Sequence, residues 1–247
     1  MGSAGQGSEG AEEGSAGSQD PRRIVAAGYD VVAERYYEWS DLRPSAARRV
    51  WLQRALEVIP PGTDVLDLGC GAGAPMTQAL AAGRRVTGVD LSATQIAMAR
   101  RHVPEATFIH GDMLALDLPP SSFDAVVSFY ALTHVPRAEQ PALLARILDW
   151  LRPGGIFLAT MGAHDGPDEV EADWLGVPMF FSHFGARRNR AMVREAGFDV
   201  LEASLVDEPE DRHGARFLWV LARRPHEVAP PEAAHPEAAA RGGSAGG

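Results

Sequence analysis

The sequence contains no lysine; all 23 of its lysine-or-arginine positions are arginine. That lack excludes Schiff-base chemistry on a lysine, a pyridoxal-phosphate anchor and the phosphate-gripping lysine of a P-loop. Cysteine is almost missing as well. The single Cys70 can form no internal disulfide, which suits a reducing compartment. No segment approaches the roughly 18 consecutive apolar residues that span a bilayer. The N-terminus lacks the basic patch and apolar stretch of a secretory signal. Nor do His and Cys cluster at metal-ligand spacing. These absences lead to the expectation of a cytoplasmic protein with no membrane span and no metal.

The formal net charge is −10, and most of it sits at the two ends. Residues 1–20 and 225–247 hold seven acids and one arginine, and almost nothing that could be buried. Burial cannot offset their ordering entropy, so both are expected to be disordered tails. Between them, residues 21–224 make one domain of ordinary size. Without the tails the chain is only mildly acidic, which argues against a duplex nucleic-acid partner. Arg187, Arg188, Arg190 and Arg194 read as a solvated helix face.

Hydrophobic periodicity predicts a helix over residues 22–39, with Ile24, Tyr29, Val32 and Tyr36 at helical spacing. A second helix runs from about Pro44, a residue suited to a first turn, to Ile59. These 21–60 residues are expected to form a helical lid. Strands then alternate with helices: strands at 64–68, 85–90, 106–110, 123–129 and 156–161, and helices at 75–82, 93–102 and 139–151. Ser92 with Gln95 predicts a capping box opening the helix at 93–102. Such alternation forces parallel strands with helices on both faces. A helix over 186–196 is followed by strands at 198–206 and 216–222 with no helix between, which predicts an antiparallel pair. Residues 162–185 are expected to be a long loop on the acceptor side, containing Trp174, Met179, Phe180, Phe181 and Phe184.

The informative segment is Val65-Leu66-Asp67-Leu68-Gly69-Cys70-Gly71-Ala72-Gly73-Ala74. A glycine-rich turn between strand and helix lets the backbone approach a ligand at the carboxyl edge of a parallel sheet. The spacing alone also fits a dinucleotide fingerprint, and Asp90 could hold a ribose in either case. Asp67 separates the two. It would repel a pyrophosphate, but attracts a ligand carrying an ammonium and a sulfonium. Asp112, after the third strand, is placed to accept from an adenine amino group. Three acids at three successive strand ends suit a cationic nucleoside.

The segments LDLGCGAG (66–73), GVDLS (88–92), GDM (111–113), FDAVVSFYALTHV (123–135) and LRPGGIFL (151–158) resemble the class I S-adenosylmethionine-dependent methyltransferases. The likeness is to small-molecule enzymes such as those of ubiquinone and menaquinone biosynthesis, and it covers about residues 29–222. It implies a Rossmann-like α/β three-layer sandwich whose seven-stranded, mostly parallel sheet ends in an antiparallel strand. S-adenosylmethionine would be the cofactor and S-adenosylhomocysteine the product. The resemblance places Gly69 and Gly71 against the methionine part, Asp90 on the ribose hydroxyls and Leu91 near the adenine. It sets Asp112 and Met113 around the base, the Phe129 backbone at the ammonium, and Tyr29 as a lid over the cofactor. The implied reaction is methylation of O, N or C of a small organic metabolite. RNA or protein methylation, and a non-catalytic scaffold with this fold, are the alternatives.

Methyl transfer from a sulfonium needs a base only if the acceptor must lose a proton. His134, following the fourth strand, is the first candidate base, and His183 the second. Each could equally position the cofactor or pack. Cys70, between two glycines, reads as a small turn residue. The aromatics of 162–185 suggest a partly apolar or aromatic acceptor, or else a seal on the sheet edge.

Overall fold

The computed structural model describes residues 20–41, 45–208 and 215–226. The expected tails lie outside the described residues, apart from Asp20, Pro225 and His226, and so does Pro44. Asp20 accepts the Arg22 amide and opens helix α1 (Pro21–Tyr36). The helix gives way at Tyr37–Asp41 to a π-helical turn, so it ends short of the expected Trp39.

Helix α2 (Ala46–Val58) precedes β1 (Asp64–Leu68), α3 (Met76–Ala81), β2 (Arg85–Asp90), α4 (Ala93–His102) and β3 (Thr107–His110). There follow β4 (Phe123–Ser128), α5 (Gln140–Trp150), β5 (Leu151–Gly162), β6 (Gly166–Trp174), β7 (Val177–His183), α6 (Ala186–Glu195), β8 (Asp199–Glu208) and β9 (Ala215–Arg223). Seven strands form one sheet in the order β3-β2-β1-β4-β5-β9-β8. The pairings from β3 through β5 are parallel, and β9 runs antiparallel to both neighbours. The helix-free connection from β8 to β9 is what allows that reversal.

Side chains alternate across the sheet and build two cores. Leu66 and Leu68 of β1 pack with Leu143, Leu144, Ile147 and Val193 of α5 and α6. Val65 faces the other way, onto Trp51, Ala55, Leu80 and Ile96 of α2, α3 and α4. Strand order reverses between β1 and β4, and a crevice opens at the carboxyl ends of the strands there.

Residues 162–185 correct the sequence reading. The expected long loop is a β-hairpin, with β6 and β7 antiparallel around Leu175-Gly176. Both turn residues have positive φ, 50° and 82°, as a two-residue hairpin turn of matching twist requires. A leucine in that first position hid the turn. The nearly all-exposed β6 removed the alternation that would have revealed the strand.

Candidate active site

Helix α1 is fastened across the carboxyl edge of the sheet from several sides. Asp30 accepts from the Ser92 hydroxyl at 2.6 Å and the Thr94 amide at 3.0 Å, tying α1 to the start of α4. Gly28 lets α1 approach β7 closely: a Cβ there would stand 2.7 Å from the Met179 methyl. Arg22 donates to Asp112 at 2.7 Å and also pairs with Glu139. Beneath the helix is a cavity with about 1040 Å³ of space, its open mouth included.

All nine residues expected at the cofactor line this cavity: Tyr29, Asp67, Gly69, Gly71, Asp90, Leu91, Asp112, Met113 and Phe129. His134 lines it too. His183 does not. Its ring packs over Gly162 and Gly166, with Nδ1 2.6 Å from the His164 carbonyl. Hairpin formation turns that histidine away, so the candidate base at 183 is withdrawn.

The glycine turn follows from backbone geometry. Gly69 has φ +74°, and a Cβ there would fall 2.2 Å from the Ala131 methyl. Only glycine fits so close to the β4 loop. The amides of Gly69 and Cys70 both donate to the Val89 carbonyl, at 2.8 and 3.0 Å, which staples the turn to β2. Cys70 is half-buried, and desolvation pushes its thiol up, with Asp90 and Asp67 adding to the effect. It is a turn residue and no thiolate nucleophile.

Asp67, the last residue but one of β1, has 2% of its surface exposed and accepts from the Thr77 hydroxyl at 2.6 Å. Burial raises its carboxyl to about 7, against the Thr77 hydrogen bond, and nearby Asp90 raises it further. Asp90 is also shifted upward, chiefly by burial. Its two oxygens accept the Ser92 and Gly71 amides, each at 2.9 Å. Asp112 accepts the Leu114 amide at 2.8 Å in addition to Arg22.

Gln95 is a site residue that the sequence reading missed. Its backbone amide donates to the Ser92 hydroxyl oxygen as expected, at 3.1 Å, but its side chain does not return to the Ser92 amide. Asp90 has taken that amide. The Gln95 carbonyl oxygen is left 1% exposed by residue, unpartnered, on the cavity wall. An acid two positions before the cap residue was the available signal, since it competes for the same amide. Arg22, Tyr36, Arg48 and Met76 also line the cavity and were not foreseen as site residues.

These groups suit S-adenosylmethionine. Its ammonium, sulfonium, ribose hydroxyls and adenine amino group are cations or donors. The cavity offers Asp67, Asp90, Asp112 and an unpaired Gln95 oxygen to meet them, beside backbone that only glycine permits.

Comparison with known proteins points the same way. Residues 65–155 match a family model described as a methyltransferase domain. That segment and the seven-stranded sheet around it are similar to the class I S-adenosylmethionine-dependent methyltransferases. A demethylmenaquinone methyltransferase of Renibacterium salmoninarum is 32% identical over 142 residues, 57% of this chain and 59% of that protein. A 24-methylenesterol C-methyltransferase of Oryza sativa is 30% identical over 175 residues, 63% of this chain and 47% of that one. The chain thus spans about half the length of these curated relatives. In fold it resembles the Burkholderia thailandensis 1,6-didemethyltoxoflavin-N1-methyltransferase, solved with 1,6-didemethyltoxoflavin and S-adenosylhomocysteine. The TM-score is 0.64 at 24% identity, covering 82% of this chain and 88% of that one. S-adenosylmethionine is the methyl donor of the family. Among the described residues, no helix is long and apolar enough to cross a membrane.

Replacing Asp90 with alanine tests one cofactor contact. The change removes the acid at the second strand end and orphans two backbone amides at once. S-adenosylmethionine affinity should fall about tenfold or more, with a stability loss of roughly 2 kcal/mol or more. Calorimetric titration alongside thermal unfolding reads both, and an unchanged affinity would remove Asp90 from the site.

Proposed function

We propose that this methyltransferase transfers the methyl group of S-adenosylmethionine to a small organic molecule with an apolar or aromatic surface. One observation carries the reading. The cavity that joins the glycine turn to three strand-end acids also runs on to Tyr36, Met76 and Tyr130. Rings gather over it: Tyr29 stands 5.4 Å from each of Tyr36, His134 and Trp174, and Phe181 lies 4.9 Å from His134. Such a wall favours a flat or apolar guest and keeps water from the reacting atoms.

On this reading, Asp67 and the Phe129 backbone meet the ammonium, Asp90 and Gln95 the ribose, and Asp112 and Met113 the adenine. The bound sulfonium supplies an activated methyl group with its leaving group already attached. The chain's own task is then to hold the acceptor in line and, where needed, to remove a proton.

His134 is arranged for the second task. Its Nδ1 lies 2.8 Å from the Phe180 carbonyl, which can only accept, so the proton sits there and the lone pair on Nε2. Nε2 is 3.0 Å from the Tyr29 hydroxyl. Burial pushes the imidazole down to about 4, so it is neutral at physiological pH. An acceptor hydroxyl could pass its proton to the Tyr29 oxygen as Tyr29 passes its own to His134.

The relatives cited act on a quinone precursor and a sterol. That range fits a small acceptor better than RNA or protein. We further place the protein in the cytoplasm, without a duplex nucleic-acid partner, on its single cysteine and mildly acidic core.

The deciding experiment is calorimetric titration with S-adenosylmethionine, S-adenosylhomocysteine and NAD. Micromolar binding of the first two without NAD is expected, and NAD binding in their place would overturn the reading. Incubation with labelled donor and a panel of quinols, phenols and sterols then identifies the acceptor.

A further inference from the structure

We propose that Gln140 is the positioning residue for His134: its side-chain amide locks the loop that carries the histidine to β7, the strand that orients the imidazole. Gln140 does not line the cavity, so it acts through His134 and touches no ligand. The inference rests on the reading of His134 as the base and names what holds that base ready.

Gln140 is the first residue of α5 and only 4% exposed. Its side-chain nitrogen lies 2.9 Å from the Val135 carbonyl, 2.9 Å from the Ser182 carbonyl and 3.4 Å from that of Leu132. All three oxygens can only accept, which identifies the nitrogen end of the amide. Leu132 and Val135 bracket His134 in its short 3-10 turn, whereas Ser182 belongs to β7. One NH2 group thus joins the histidine loop to the hairpin. Helix α5 anchors the joint, since Leu143, Leu144 and Ile147 root it in the core beneath the main sheet.

His134 hangs on the same strand. Its Nδ1 meets the carbonyl of Phe180, two residues before Ser182, at 2.8 Å. Carbonyls two residues apart in a strand point to the same edge. Strand β7 pairs with β6 alone, so its other edge has no strand partner. Groups of the loop and of α5 take that place: His134 on Phe180, Gln140 on Ser182, and the Arg137 amide on the Ser182 hydroxyl oxygen at 2.9 Å. Each bond satisfies an acceptor and fixes the loop along the strand. A slip of about 1 Å would take Nδ1 out of hydrogen-bond range of the Phe180 carbonyl. The proton would then be free to sit on Nε2, which could no longer accept from Tyr29.

Nitrogen-15 NMR of the imidazole in the ligand-free protein reads this directly, with His134 assigned by its loss in His134→Gln. The wild type should carry the proton on Nδ1, and its Gln140 side-chain protons should exchange slowly with solvent. In Gln140→Met the ratio of Nδ1- to Nε2-protonated forms should fall about tenfold, the worth of one hydrogen bond. Affinity for S-adenosylhomocysteine should stay within about threefold, because Gln140 lies outside the cavity. Gln140→Glu keeps the shape and, when protonated, can donate one bond in place of two, so its ratio should fall between the others. A wild type protonated on Nε2, or Gln140 side-chain protons exchanging at the solvent rate, overturns the proposal without any variant. So does a ratio unchanged in both variants. Loss of cooperative unfolding in both gives Gln140 to folding alone and overturns it as well. Turnover tests the base separately. If His134→Gln methylates the acceptor found with labelled donor as fast as the wild type, the base reading fails, and the tautomer ratio still decides what Gln140 does.

Discussion

Asp67→Asn is expected to weaken S-adenosylmethionine binding on the order of a hundredfold at pH 8, the usual scale for removing one partner of a buried charge pair. The same substitution should make the ligand-free protein more stable at that pH. Both effects come from one fact: the carboxyl is buried, and burial lifts it to about 7. An acid whose folded value lies above its unfolded value contributes stability fully below the unfolded value, near 4. That contribution declines as pH rises through 7. At pH 8 the free protein therefore holds an ionised, desolvated group that asparagine would remove. On the proposed reading, the cationic ligand needs that same ionised form. Wild-type affinity should climb about tenfold per pH unit up to 7 and level off above, as one released proton requires. Titration at a series of pH values measures this, and an equal climb in Asp67→Asn would assign the proton to another group.

His134→Gln should lower turnover about a hundredfold if the acceptor gives up a proton, the modest end for general-base catalysis. Cofactor affinity should change little. Tyr29→Phe should cost a similar factor, because the hydroxyl lies 3.0 Å from His134 Nε2 and both residues line the cavity. The double variant should lose no more than either single one, since groups acting as a unit are not additive. The pH profile adds a second readout. His134 stays neutral until pH falls toward 4, so its acid limb belongs there and not near 6.5. The sign for stability is opposite to that of Asp67. A base depressed by burial contributes stability above its unfolded value, near 6.5, and loses it as pH falls through 4. Turnover near wild type in all three variants would mean that the acceptor reacts without surrendering a proton.

Much of the fold was legible because it depends on local periodicity. The five alternating strands, the helices between them and the antiparallel β8–β9 pair each leave a pattern in nearby residues. The hairpin at residues 162–185 left none. Its turn begins at a leucine of positive φ, and its outer strand is exposed almost throughout. With it went His183, a plausible base on a loop and a packed side chain in a hairpin. Gln95 was misread for a related reason: the capping box is a local rule, and Asp90 broke it by reaching the Ser92 amide first.

The sequence by itself determined the class of ligand. Acids at three strand ends and a glycine turn are fixed by chain order, and the parallel sheet brings strand ends together wherever their helices pack. Only the tertiary structure decided which other groups share that space. Arg22 and Arg48 belong to helices that cross the sheet edge, and their reach into the cavity depends on how α1 and α2 dock. The same docking sets Tyr29 against His134 and buries Asp67 deeply enough to hold its proton near neutrality. Such contacts join residues far apart in the chain, and charge and burial at those points exist only once the chain has folded.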